Sequence, residues 1–517
     1  MVRDNIHKYI YIAALCIIAF FLPLSEYITN AAIFLLLTNW VIEADFVKKW
    51  RKLIQNPAIL IFIILFIVHA IWLINSENIS FGIHDIKIKL PLLALPIIIG
   101  TSKALSKKNI DRIIAVFILG VLISTLTGLI VYWGFIKNPN SDNVRNISYF
   151  VSHIRLSLMI CLSVLLIFRF INERKFFTSY KIIIAVIVII WFVEFLMMIQ
   201  GFTGLISLVI VGLISLAVKA FNEQHIIKKI IYIVIVVGLP VFLISYLGVQ
   251  IKSFYTPTNP MIKIETSTEN GNNYYHNLES GLLENGNLIY INICEKELYS
   301  GWNKRSSARL DGRDVRGQSL LHTLIRYLTS RGLTKDADGI FQLSDNDIAN
   351  IENGHTNYRF VRHNGISKRI YNIIWEIDVY TKNGNPSGHS ITQRFEYLKA
   401  GLILSYRNIR YGTGTGDVDD EYKALYIEKS SQLDSQYRHR AHNQFLTFFV
   451  SFGVVGAFLC FFAFFYPVIL DFKFRNYHFA VFILIAVLSM LTDDTLETTT
   501  GVVFISYFYS LFLWGEK

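Results

Sequence analysis

The run HNQFLTFFVSFGVVG, from His442 to Gly456, places a histidine and an amide, His442 and Asn443, where a long polar segment turns into an apolar helix. A neutral imidazole can take a proton at physiological pH, so His442, at a water-membrane boundary, is a candidate general base. The apolar residues behind it fix its depth, and Gly453 and Gly456 allow close helix packing. For a lone histidine the competing expectation is an interfacial side chain that does no chemistry. Three features lead up to His442: Gln393-Arg394 at the start of an amphipathic helix, the glycine run RYGTGTG from Arg410 to Gly416, and the basic approach YRHRAHN, which carries Arg438 and Arg440.

These residues need membrane helices to position them. The chain is 53% hydrophobic and 14% aromatic, with a mean hydropathy of +0.44, against an apolar fraction of about 45 to 50% in ordinary soluble proteins. Its apolar residues fall in blocks of about 16 to 25, the length that crosses a hydrocarbon core of roughly 30 Å as helix. About twelve such spans are expected: 9–24, 27–42, 57–74, 88–100, 110–135, 151–171, 181–199, 203–221, 226–248, 443–470, 477–491 and 501–514. The fourth is short and carries Pro91 and Pro96, which are tolerated in a span only where neighbours satisfy the freed backbone. The expected class is all-α: nine spans over 1–248, an outward loop domain over 249–442, and three spans over 443–517.

Charge placement gives the orientation. Lys48, Lys49, Arg51 and Lys52, then Lys103, Lys107 and Lys108, then Arg169, Arg174 and Lys175, then Lys219, Lys228 and Lys229, then Lys473 and Arg475 mark cytoplasmic connections, as do Arg3 and Lys8. The alternate connections are poorer in Lys and Arg, so both termini are expected in the cytoplasm and the long loop outside. The net charge of +11 is mainly this topology signal, and the scatter of basic residues over short loops argues against nucleic-acid binding. Cys294 is the one cysteine in the outward loop, which leaves that loop without an internal disulfide, and no Cys/His spacing suggests zinc.

Within the loop, Asn270-Gly271, Asn285-Gly286 and Asn383-Gly384 signal turns. Gln318 to Ser330 predicts an amphipathic helix with Leu321, Leu324, Ile325 and Leu328 on its buried face and Gly332 as its stop. Ser344 and Asp347 predict a capped second helix, and Ile370 to Tyr380 reads as helix or strand. Ile391 to Ser405 predicts the clearest helix, with Phe395, Leu398, Leu402 and Ile403 as its stripe. Near the end, Asp493, Asp494 and Glu497 form an acidic loop, expected as a solvated charge run, with a cation site or orientation of His442 as alternatives. Arg155 follows His153 at the outer end of the sixth span, where an arginine either snorkels to the interface or is paired or functional. His439 and His389 are expected as surface histidines.

The His-Asn pair, the nine residues after it and the following Gly-Val-Val-Gly resemble the signature of the bacterial O-antigen ligase and polymerase superfamily. The Arg-bearing helix, the Gly-x-Gly turn and the closing stretch from Leu491 (LTDDTLETTTGVVFISYFYSLF) resemble the same family's carboxy-terminal half. The resemblance covers about 391–512, and residues 253–390 match no motif. It implies a polytopic inner-membrane glycosyltransferase of the GT-C class with a periplasmic loop domain. Such an enzyme moves a glycan from an undecaprenyl-diphosphate carrier to lipid A core or another hydroxyl acceptor, by inversion.

On that resemblance, His442 is the catalytic base, and Arg394 matches the loop arginine that grips the diphosphate. Guanidinium groups suit this role, since they bind phosphate bidentately and take up the charge that builds on the leaving group, so no metal or other cofactor is implied. The family's Ser-Arg-x-Gly turn is replaced here by Gln200 to Gly204 (QGFTG), without an arginine. Arg155 is the candidate replacement. Arg438, Arg440, Gln393 and Asn443 are expected around donor or acceptor, and Gly414 as backbone approaching the sugar-diphosphate or the membrane surface. The glycine run is no nucleotide loop, because no strand leads into it and no Gly-Lys-Ser/Thr follows. The same architecture would also suit a polymerase, a protein O-oligosaccharyltransferase or a scaffold. A transporter or flippase would be expected to show related halves and ionisable groups at mid-span, which the late single loop does not suggest.

Overall fold

The computed structural model describes residues 2–136, 147–172, 179–257, 263–361, 366–470 and 476–515. The expected cytoplasmic residues Arg174, Lys175, Lys473 and Arg475, and the outward stretch 137–146, lie outside them. Contacts divide the chain into two bodies: Met1–Tyr232 with Arg394–Ser431 and Ser435–Lys517, and Ile233–Gln393 with Gln432–Asp434. The stretch expected as one outward domain over 249–442 is thus shared, and its last part, from Arg394, falls in the first body.

The chain is mostly helical. It opens with α1 (Val2–Phe21), α2 (Glu26–Glu43), α3 (Phe46–Gln55), α4 (Pro57–Ile71), α5 (Ile79–Lys89), α6 (Pro91–Thr101), α7 (Lys107–Tyr132), α8 (His153–Asn172), α9 (Ser179–Met198), α10 (Phe202–Asn222) and α11 (Ile226–Tyr255). The soluble stretch holds α12 (Glu295–Arg305), α13 (Leu320–Arg331), α14 (Ala337–Phe341), α15 (Asp345–Glu352), α16 (Ile366–Asn383), α17 (Ser390–Arg407) and α18 (Val418–Glu428), and the chain closes with α19 (Gln444–Leu470), α20 (Tyr477–Thr492) and α21 (Thr499–Ser510).

Among the described residues, seven helices are long and apolar enough to cross a membrane, or eight if α2 and α3, bent by 113° at Ala44-Asp45, count as one. Of the expected twelve spans, this bears out a mostly helical, polytopic membrane protein with seven or eight candidate spans. Helices occur at all twelve places, but α6 has 11 residues and α20 has 16, which at about 1.5 Å per residue fall short of a roughly 30 Å core. The bend turns α3, with Lys48, Lys49, Arg51 and Lys52, away from the line of α2.

In the membrane body α21 is buried on every side from Thr500 to Ser510. Three of its buried hydroxyls donate to neighbouring carbonyls: Ser506 to Pro91 O at 2.6 Å, Tyr507 to Leu15 O at 2.8 Å and Tyr509 to Phe464 O at 2.8 Å. This central helix fixes the loop before it, Asp493 to Thr498. The QGFTG run is a packing site: a Cβ on Gly204 would fall 2.7 Å from Ser157 Cβ, so α10 lies close against α8, the helix that carries Arg155.

The second body, which also carries α11 from Ile233 on, has its own core around Trp302, Leu324, Leu328, Ile340 and Ile351. α13 buries Leu324, Ile325 and Leu328 as expected and stops at Gly332, whose φ is 76°. Ser344 and Asp347 form a reciprocal capping box. The helix-or-strand ambiguity resolves to helix, as α16. Asn285-Gly286 turns a hairpin that pairs Leu283–Glu284 with Asn287–Leu288.

The stripe expected on α17 is not its buried face. Phe395 is 46% and Leu402 62% exposed, whereas Tyr397, Ala400 and Leu404 are buried. Gly401 explains the choice: its bare Cα admits Tyr422 and Leu446, so the small-residue side of the helix turns inward.

Candidate functional site

Two residues before α19 begins, His442 takes the left-handed conformation with φ of 49°, a strained geometry for a residue with a Cβ. Asp494 holds it there. Its carboxylate accepts the backbone N–H of His442 and of Asn443, each at 3.1 Å, and the Thr447 hydroxyl at 2.7 Å. Asn443 caps α19, accepting the Leu446 N–H at 3.0 Å and donating to Leu491 O at 3.0 Å.

The imidazole is oriented by the neighbouring acid. His442 Nδ1 lies 3.1 Å from Asp493 Oδ1, and the other oxygen of Asp493 accepts from Arg155 at 2.5 Å. Burial opposes a charge on Asp493, but the hydrogen bond from His442 and the Arg155 guanidinium outweigh it and hold the carboxyl well below the usual carboxylate range. An ionised Asp493 can only accept, so the proton of the neutral ring sits on Nδ1 and Nε2 keeps a lone pair. The side chain is 33% exposed, so that lone pair is reachable.

Arg155 therefore neither snorkels nor stands open. It is buried, and besides Asp493 it donates to Thr498 Oγ1 and to Asp494 O, each at 3.1 Å. The acidic loop, expected as a solvated run, is instead buried and partnered: Asp493 and Asp494 clamp His442, and Glu497 accepts from Lys89 at 2.9 Å, Arg440 at 3.1 Å and Gln444 at 3.0 Å. Burial works against the charge on Glu497, and Lys89 and Arg440 overcome it. Arg440 also pairs with Asp419 of α18, and Lys89 with Asp85.

Arg394 differs from these cations. It donates to Thr492 O at 3.1 Å, beside Asp493, and has no carboxylate partner among the described residues. One turn along α17, the Tyr397 ring lies 5.5 Å from the His442 ring, and its hydroxyl donates to Tyr437 O at 2.7 Å. Arg394, Asn443 and His442 thus converge on the segment Leu491 to Asp494. Arg438 is half-buried just before it, its N–H donating to Ser435 O at 3.3 Å. His439 is exposed, as expected, with its ring 6.2 Å from that of His442. His389 is half-buried, edge-on to Trp375. Gln393 falls in the other body, where its N–H donates to His389 O at 2.9 Å.

The glycine run does not join this constellation. Gly414 N–H donates to Ser451 O at 2.9 Å and Thr413 N–H to Val450 O at 2.9 Å, at the kink where Gly453 interrupts α19. Gly412 and Gly414, at φ of 70° and 97°, bring their backbones against Ser451 and against Asn75-Ser76, where a side chain would collide. The run ties the kink to the α4–α5 connection, and the amide of Gly414, expected to approach the sugar-diphosphate or the membrane surface, is already engaged.

Sequence reasoning missed Tyr397, Thr498, Asp85 and Lys89. For the last two a signal existed, an Asp and a Lys four residues apart running into an apolar proline-bearing helix. Among the described residues no three His, Cys, Asp or Glu side chains gather in metal-binding geometry, and the four cysteines are free. No protein-family model matches this chain, and no curated protein matches its sequence.

Proposed function

We propose that this chain is a membrane glycosyltransferase that moves a glycan from undecaprenyl diphosphate to a hydroxyl acceptor, with lipid A core as the first choice, as an O-antigen ligase does. The observation that carries the reading is the pairing of an accessible imidazole, His442, with a buried ionised carboxylate, Asp493, beside Arg394, a cation without a carboxylate partner among the described residues. His442 Nε2 accepts the acceptor's hydroxyl proton as its oxygen bonds to the anomeric carbon from the face opposite the leaving group. The bond from that carbon to the phosphate oxygen breaks, and the lipid diphosphate departs with the electron pair. Arg394 meets the charge that builds on it. Arg155 acts through Asp493 as a positioning residue.

A GT-C-like arrangement belongs to this proposal, with about twelve passes, the termini in the cytoplasm and the loop outside. The alternation of Lys/Arg-rich and Lys/Arg-poor connections supports it. Purified protein offered a lipid-linked donor with lipid A core, free glycan or a Ser/Thr peptide separately tests the reading. Transfer to lipid A core supports the ligase, transfer to glycan or peptide reassigns the acceptor, and a donor moved across vesicles unchanged rejects the enzyme.

A further inference from the structure

The second body encloses a polar cavity of 220 Å³ between the start of α13, the segment Gly354 to Phe360 and α16. Two of its charged groups are already matched. Glu376 accepts from Arg369 at 3.0 Å and from the Ile391 N–H at 3.1 Å. Arg326 pairs with Glu284 at 2.8 Å and lies 4.0 Å over the Trp375 ring.

Arg316 and Lys368 remain. Neither has a carboxylate partner among the described residues, and Arg316 instead approaches His355 Nε2 at 3.4 Å. Burial, then the charges of Arg316 and Lys368, push His355 down to about 4. Burial and Arg316 likewise depress Lys368. Two like charges and a neutral imidazole therefore face one small space to which the described residues bring no free anion. The amides of Gln318 and Asn372 also line it and make no side-chain hydrogen bond among the described residues, and Trp375 Nε1 is buried without a partner.

Unmatched cations call for an anion, and unengaged amides call for hydroxyls. The volume lies below the roughly 300 to 1,000 Å³ of drug-sized sites, so it admits one small unit. We propose that this cavity binds an acidic sugar, a single ring bearing a carboxylate or a phosphate, with the anion on Arg316 and Lys368 and the hydroxyls on Gln318 and Asn372. The inference does not depend on the catalytic reading of His442.

The test is calorimetric titration and thermal shift of the full-length protein in detergent, at low salt, with galacturonate, glucose 6-phosphate, glucose and inorganic phosphate as probes. The two acidic sugars separate a carboxylate site from a phosphate site. At least one of them should bind saturably, at least tenfold more tightly than glucose or phosphate alone. The Arg316→Ser/Lys368→Gln variant should lose at least tenfold in affinity, as removal of charge-assisted hydrogen bonds implies. Gln318→Ala, at an exposed position, should weaken the acidic sugar and leave phosphate unchanged. Equal binding of glucose, equal binding of phosphate alone, no saturable binding, or a Gln318→Ala variant that binds the acidic sugar like the parent would overturn the proposal.

Discussion

Asp493 joins His442 to Arg155: one carboxylate oxygen lies 3.1 Å from the imidazole Nδ1, and the other accepts from the guanidinium at 2.5 Å. The three residues come from the start of α19, the loop after α20 and the start of α8. The candidate base is therefore oriented by an ion pair that itself depends on the packing of three helices.

That dependence gives the first prediction. Arg155→Met leaves the buried Asp493 without its guanidinium, with His442 Nδ1 as its remaining partner, and removing one partner of a buried ion pair costs about 3 to 5 kcal/mol. Thermal unfolding in detergent should show the loss, and Arg155→Met/Asp493→Asn should recover part of it, because no lone charge then remains. If Arg155 bound the donor and not Asp493, the single variant would lose donor affinity with its stability unchanged.

The same segment shows what could be read from the chain. The helices of the loop were legible, since the Leu324, Ile325, Leu328 spacing and the Ser344/Asp347 cap are local signals. The partners of the acidic run were not, because Arg155 lies 338 residues from Asp493 and nothing local distinguishes a buried carboxylate from a solvated one. α17 failed for a related reason: hydropathy favoured Phe395 and Leu402 as the inner face, whereas the close approach allowed by Ala400 and Gly401 selected the other. Short helices such as α6 were located correctly, but whether each crosses a membrane depends on neighbours that periodicity does not contain.

Arg394 is the cation whose geometry matters most for a diphosphate. Arg394→Lys should lose most transfer while folding normally, since an ammonium cannot reproduce a bidentate fork. Steady-state rates and donor binding by the purified variant measure this, and full activity would make Arg394 a solvated helix residue.

Gly414 separates packing from ligand binding. A Cβ there would fall 2.7 Å from Asn75 O, and φ of 97° disfavours any side chain. Gly414→Ala should lower the unfolding temperature, with a cost of about 1 to 3 kcal/mol, while the folded fraction binds donor normally. Weakened donor affinity at unchanged stability would return Gly414 to the site.

Topology is open to reporter fusions. Those at Glu284 and Asp345 should read periplasmic and those at Lys49 and Lys229 cytoplasmic, as the positive-inside pattern requires. A cytoplasmic signal at Asp345 would remove the enzyme reading, because the lipid-linked donor is presented outside.

The central claim is that His442 Nε2 takes the acceptor's proton, and the most direct measurement is the pH dependence of transfer by the parent and by His442→Ala. A positioned base contributes about 10² to 10⁴-fold in rate. The parent should therefore lose activity as pH falls and Nε2 becomes protonated. His442→Ala should fall by that factor and lose the acid limb, with donor binding retained and His439→Ala far milder. Near-parental turnover in His442→Ala with the acid limb intact would contradict the account and return His442 to an interfacial anchor.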